Sequence, residues 1–68
     1  MHRSREFRKI SNQNVRDLMN ISASSATRLL NLIRTHFGKV AGTPVFLLEF
    51  CEYTKFNVDK VCAFFNWD

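Results

Sequence analysis

The stretch Asn12–His36, NQNVRDLMNISASSATRLLNLIRTH, decides the fold that this sequence predicts. Its apolar residues recur at steps of three and four, which is the spacing of amphipathic helices. Ser11 suits the N-cap of a first helix, with Ile10 and Val15 spaced as a hydrophobic staple around it. We therefore predict a helix from about Asn12 to Met19, then a tight turn at residues 20–22.

The second helix of this stretch is predicted to begin after Ser22 and to end near Phe37, because Gly38 suits the left-handed position that follows a helix. Its predicted buried stripe is Ala26, Leu29, Leu30, Ile33 and Phe37. The opposite face is small, polar or cationic and has no carboxylate; it contains Ser24, Ser25, Thr27, Arg28, Asn31, Arg34 and Thr35. Such a face can lie against phosphates and base edges, whereas an ordinary solvated face usually carries charges of both signs.

Residues 1–10 show no helical or strand period, and we predict a flexible basic arm there. Arg3 and Arg5 could enter a DNA minor groove, where arginine is attracted by the negative potential. The alternative is a frayed terminus that only improves solubility.

Downstream of the second helix, Lys39–Ala41 is predicted to form a short turn or a minimal wing. Thr43 and Pro44 then suit the N-cap and first position of a third helix that ends near Thr54. Asn57 caps a fourth helix that ends near Phe65. The expected fold class is all-α, a small bundle of about four helices.

The two halves of the chain share an apolar spacing at an offset of 35 residues. The matched pairs are Val15 and Phe50, Leu18 and Tyr53, Ile21 and Phe56, Ala26 and Val61, Leu29 and Phe64, and Leu30 and Phe65. The cap Ser22 likewise matches Asn57. We expect two helix–turn–helix-like units in tandem within one domain over residues 11–68, with 11–38 binding DNA and 43–66 forming a supporting helical hairpin.

Charge distinguishes the two halves. Residues 1–42 hold eight Lys and Arg and two acids, a balance of plus six, whereas residues 43–68 hold two Lys and four acids, a balance of minus two; together they give the net charge of +4. A basic footprint on the first half favours a polyanionic partner. With no apolar segment typical of a signal peptide or a membrane span, we expect a cytoplasmic, nucleoid-associated protein that contacts no membrane.

No pattern in the sequence indicates an enzyme. There is no glycine-rich phosphate loop, and His36, near a helix end, is interpreted as solvated or as capping that end. Cys51 and Cys62 are eleven positions apart, which does not match the close ligand pairs of a zinc site. We interpret both as packed thiols of a reducing compartment, with a disulfide as the alternative. The expectation is no metal, no cofactor and no small-molecule substrate.

The run from Val15 to Leu30, VRDLMNISASSATRLL, resembles the helix–turn–helix signature of small bacterial and phage DNA-binding proteins, in particular the excisionase and MerR-like group. Two positions depart from that pattern. Asn20 stands where the group usually has Gly, although Asn tolerates a left-handed turn. Arg16 stands where a small Ala is usual, so its side chain must extend outward. The resemblance covers about 25 of the 68 residues. It implies sequence-specific duplex binding, by a transcription regulator or a recombination accessory factor of a mobile element.

In this interpretation base edges are reached by Ser22, Ser24, Ser25, Thr27 and Arg28, and phosphates are held by Arg16, Asn31, Arg34 and Lys39. Arg28 is the residue best able to form a bidentate contact with guanine. The aromatic end, Phe64 to Trp67, predicts a weak homodimer or side-by-side copies on DNA, because aromatic residues are favoured at such interfaces. It also motivates the main alternative function, a helical protein-interaction module that does not bind DNA.

Overall fold

The computed structural model describes residues 7–67, so the predicted minor-groove residues Arg3 and Arg5 lie outside the described part of the chain. The elements in order are β1 (Lys9–Ile10), α1 (Asn12–Met19), α2 (Ala23–His36), β2 (Val45–Phe46), α3 (Leu47–Thr54) and α4 (Val58–Phe65). The structure is mostly helical, with four helices among the described residues. It is not purely α, because β1 and β2 pair as a two-stranded antiparallel sheet.

Local caps set the ends of the first two helices, as predicted. The Ser11 hydroxyl accepts a hydrogen bond from the Asn14 backbone N–H at 3.1 Å, and the Asn14 side chain accepts one from the Ser11 backbone N–H at 2.9 Å. This reciprocal pair satisfies two donors that a helix N-terminus otherwise leaves unpaired. Asn20 ends α1 in the left-handed region, with φ 56°, and Ser22 caps α2. Gly38 follows α2 with φ +69°, as expected for a residue after a helix.

The predicted start of α3 is wrong. Thr43 and Pro44 do not begin a helix; Val45 and Phe46 are in β2, and α3 begins at Leu47. Val45 is only 1% exposed and pairs with Ile10. Burial of this side chain and pairing of its backbone outweigh the local preference of Thr and Pro for a helix start. Phe46 becomes the N-cap residue, although its side chain supplies no hydrogen bond.

The N-terminal segment predicted as an arm over residues 1–10 contains β1 at its end. Ile10 is 4% exposed and belongs to the core, and the carbonyl of Arg8 accepts a hydrogen bond from the Leu47 backbone N–H at 2.7 Å. Two strand residues show no usable period, so the sequence around Lys9 could not reveal a pairing with residues more than thirty positions away. The folded domain therefore includes β1, which lies before residue 11.

The core collects apolar side chains from every element. Its members are Ile10, Val15, Ala26, Leu30, Ile33, Val45, Leu47, Phe50, Cys51, Val61 and Cys62. Both cysteines are free thiols in the structure, so the alternative of a disulfide between them is not formed. Burial, together with the nearby Cys62, raises the pKa of Cys51 to about 11. Cys51 is therefore an unreactive packing residue at neutral pH.

The offset of 35 residues extends to the backbone. Adding 35 to the bounds of α1 (12 and 19) gives the bounds of α3 (47 and 54), and the first residue of α2 (23) maps onto that of α4 (58). The two left-handed helix ends, Asn20 and Lys55, are also equivalent. Ile10 and Val45 are equivalents too, and they pair with each other in the antiparallel sense, which is the arrangement that a two-fold axis produces. The hairpins differ in length, since α2 continues past Leu30, the equivalent of Phe65, to His36.

Candidate nucleic-acid interface

The outward face of α2 is an exposed surface with polar side chains. Its exposed residues are Ala23, Ser24, Ser25, Thr27, Arg28, Asn31, Leu32, Thr35 and His36. None of the fourteen residues of α2 is acidic. Its core residues, Ala26, Leu30 and Ile33, are at most 5% exposed and hold the helix against the rest of the domain. These buried contacts leave the opposite face of α2 exposed.

Arg28 is the cation that this face leaves free. It is exposed, and the structure gives it no hydrogen bond or ion pair with any of residues 7–67. An arginine guanidinium carries five N–H donors and no acceptor, in a planar fork that matches phosphate and guanine geometry. Within the part of the chain that the structure describes, no group therefore competes with a ligand for these five donors. Among the residues predicted to bind DNA, Arg28 has the clearest access.

The serines at the start of α2 are partly occupied by capping. The Ser22 hydroxyl accepts from the Ser25 backbone N–H at 3.2 Å and lies 3.2 Å from the Ser25 hydroxyl oxygen. Ser24 is exposed and has no such bond. Thr27 faces α1, where its hydroxyl accepts from the Asn12 side-chain amide at 2.9 Å. Ser24 is thus the freest of these predicted base-contacting hydroxyls, and Thr27 holds the two helices together.

Arg34 is half-buried and holds the loop that follows α2. Its Nε donates to the Thr43 carbonyl at 2.5 Å, and one terminal nitrogen donates to the Asn31 side-chain oxygen at 2.8 Å. Three of its five N–H donors remain. The same bond orients the Asn31 amide and leaves its nitrogen free to donate. Arg34 and Asn31 can therefore each still donate to a phosphate. Their hydrogen bonds within the protein determine where the two side chains lie.

The sequence suggested that Lys39 projects into solvent, but in the structure it does not. Its ammonium donates to the Pro44 carbonyl at 2.6 Å and to Glu49 at 2.8 Å, and it lies 4.5 Å from the centre of the Phe46 ring. Glu49 also accepts from the Phe46 backbone N–H at 3.0 Å. Burial alone would raise the pKa of Glu49, but the hydrogen bonds from Lys39 and Phe46 and the charge of Lys39 lower it overall. Lys39 thus holds the loop to α3.

Arg16 lies on α1, and its side chain is only half-exposed. One terminal nitrogen donates to the Gln13 side-chain oxygen, whereas Nε is buried and has no hydrogen-bond partner among residues 7–67. The family resemblance required the Arg16 side chain to extend outward, but with its Nε buried it does not extend fully. A buried donor without a partner costs free energy. Its remaining terminal donors are the part of Arg16 that could contact a phosphate.

Two exposed cations outside α2 escaped the sequence analysis. Arg8 lies over the Trp67 ring, with its guanidinium carbon 4.6 Å from the ring centre, and Lys9 is exposed on β1. Trp67 in turn stacks on Phe65 at 4.6 Å between ring centres. The short basic run at residues 8–9 was the only sequence pattern that pointed to them. Lys9 is the first residue of β1 and Arg8 directly precedes it, so both cations lie on the N-terminal segment.

No protein-family model matches this chain, and comparisons with curated proteins and with solved structures found no match. Over residues 7–67, no group of three His, Cys, Asp or Glu side chains is arranged to hold a metal ion. In the same part of the chain, no helix has both the length and the hydropathy that crossing a bilayer requires.

Proposed function

We propose that this protein binds double-stranded DNA in the major groove through the outward face of α2, in a transcription regulator or a recombination accessory role. The observation that carries the proposal is the exposed guanidinium of Arg28, which has no partner among residues 7–67, on a fourteen-residue helix without a carboxylate. The helical hairpins α1–α2 and α3–α4 would then be two helix–turn–helix units in tandem. The first contacts DNA and the second supports it.

The proposed contacts divide into base reading and positioning. Arg28 forms a bidentate contact with a guanine, and Ser24, with its free hydroxyl, contacts a neighbouring base edge. The unused donors of Arg34 and the free amide nitrogen of Asn31 hold phosphates. Lys39 is not among the direct contacts, because its ammonium is already bonded to Glu49 and to the Pro44 carbonyl.

The charge distribution supports this orientation on DNA. The half of the chain that contains α2 has a balance of plus six, whereas residues 43–68 have a balance of minus two. Glu52 and Asp59, on α3 and α4, are exposed and would be repelled by phosphate. A duplex is therefore drawn to the first hairpin, and the affinity should fall steeply as salt is raised.

The decisive experiment selects bound duplexes from a random pool and then measures Kd by fluorescence anisotropy at about 50 and 200 mM salt. We expect Arg28→Ala to weaken binding to the selected site by about 1–3 kcal/mol and to relax the preference at one base pair. Lys60→Ala is the matched control, since it removes an exposed cation from α4. Salt-insensitive binding, or equal Kd values for Arg28→Ala and the parent, would contradict the proposal.

A helical protein-interaction module that does not bind DNA is the second candidate, and the exposure of Phe64 favours it. The Phe64 side chain is 56% exposed and touches Phe65 edge-to-face at 4.8 Å between ring centres. Trp67 is partly covered by Phe65 and Arg8, so Phe64 is the better anchor for the homodimer that the sequence predicts. Sedimentation of the parent protein should then show self-association that Phe64→Ser removes. A monomer at every concentration tested would leave Phe64 as a surface residue of a monomeric protein.

A further inference from the structure

Leu32 is an apolar side chain in the middle of the proposed DNA-contacting face. It is 49% exposed and stands outside the core cluster, whereas Leu30 and Ile33 on the same helix are buried. Arg28 precedes it by four residues, so the two side chains occupy the same face one turn apart. Thr35, three residues later, continues that face. Leu32 therefore interrupts an otherwise polar surface at a defined distance from the free guanidinium.

The spacing between Arg28 and Leu32 relates to the spacing of base pairs. Four residues of α-helix rise about 6 Å. Successive base pairs are about 3.4 Å apart. If Arg28 contacts a guanine, Leu32 lies over a base one or two steps further along the groove.

The major groove offers a leucine one kind of favourable partner. Its base edges present mainly hydrogen-bond donors and acceptors, and the largest apolar group among them is the C5 methyl group of thymine. A leucine placed over any other edge would remove water from a polar group and supply no hydrogen bond. The absence of carboxylates on α2 and the unpaired charge of Arg28 favour a polyanion as the occupant of this face, rather than an apolar protein surface.

We infer that the DNA site of this protein contains a thymine one or two base pairs from the guanine read by Arg28, and that Leu32 packs against its C5 methyl group. The inference rests on the proposed function and makes it more specific. It assigns to Leu32 a role in selecting the target sequence. Neither the position of Leu32 in α2 nor its being a leucine requires such a role.

The test uses the selected duplex with each thymine replaced singly by deoxyuridine, which removes the methyl group and keeps base pairing. We expect the parent protein to lose about fourfold in affinity at one thymine within two base pairs of the guanine, as for one carbon buried at about 0.8 kcal/mol. Leu32→Ala should bind the thymine and deoxyuridine duplexes equally. Leu48→Ala is the matched control, because Leu48 is 43% exposed on α3 and lies outside the proposed interface; it should retain the fourfold difference.

The outcomes separate this inference from the proposed function. If no duplex binds in a salt-sensitive way, the proposed function fails and the inference fails with it. If binding is salt-sensitive and depends on Arg28, but no thymine lies within two base pairs of the guanine, the inference alone is overturned. The same holds if deoxyuridine there has no effect on the parent, or affects Leu32→Ala equally. The deoxyuridine scan of the parent protein needs no variant, so its result remains valid even if Leu32→Ala folds poorly.

Discussion

Replacing Glu49 by alanine should lower the melting temperature by about 10 °C, because this carboxylate joins three parts of the fold. It accepts from the Lys39 ammonium at 2.8 Å and from the Phe46 backbone N–H at 3.0 Å. The backbone bond at a helix start contributes about 1 kcal/mol. The ion pair adds up to about 1 kcal/mol, since the Glu49 and Lys39 side chains are still 22% and 18% exposed. In a domain of this size, each kcal/mol shifts the melting temperature by about 4–8 °C.

Thermal unfolding followed by circular dichroism at neutral pH measures this effect, and two variants show its source. Glu52→Ala removes the same charge from the same helix at an exposed position that has no hydrogen bond among residues 7–67, and it should melt within a few degrees of the parent. Glu49→Gln keeps an oxygen for the Phe46 N–H and loses the ionic part, so it should fall between the two. Equal melting temperatures for Glu49→Ala and Glu52→Ala would refute the reasoning.

The stabilisation by Glu49 should also depend on pH. Its pKa in the folded state is lowered from the ordinary value of 4.5, so the unfolded chain binds this proton more tightly than the folded chain does. The stabilisation is therefore fully present above pH 4.5 and is lost as the pH falls through the folded-state pKa. Urea unfolding at pH 7 and below pH 4.5 should show the difference between the parent and Glu49→Gln shrinking at the lower pH. A difference that stays constant would show that the charge of Glu49 does not contribute.

Two further predictions concern the packing and the turn of the first hairpin. Ala26→Leu should destabilise the fold by about 1–3 kcal/mol in urea unfolding, because Ala26 is 0% exposed and a larger side chain overpacks its site; Ala63→Leu, at an exposed position on α4, is the control and should change little. Asn20→Val should cost about 1–2 kcal/mol, because Asn20 has φ 56° and a β-branched residue is strained there, whereas Asn20→Gly should be tolerated. Equal stabilities of the Val and Gly variants would show that the left-handed turn is not maintained in solution.

Local sequence alone predicted the two helices of the first hairpin and the fourth helix. Ser11, Ser22 and Asn57 cap their helices through bonds to a backbone N–H three residues later, so each start depends only on neighbouring residues. Gly38 marks the end of α2 for the same reason, since a left-handed backbone is a property of one residue. The 35-residue offset between the hairpins was also visible, because the apolar pattern repeats with the backbone.

Tertiary structure decided what depends on partners far away in the chain. Ile10 and Val45 form a sheet only because the fold brings them together, and this pairing moved the start of α3 from residue 44 to Leu47. The same holds for the proposed DNA-contacting cations. The sequence predicted both Arg28 and Lys39 as cations that contact DNA. In the structure the Lys39 ammonium lies 2.8 Å from Glu49, whereas Arg28 has no partner among residues 7–67. A charged side chain is available to a ligand only if no other group of the folded protein already binds it. Residues close in sequence do not determine whether such a group is present.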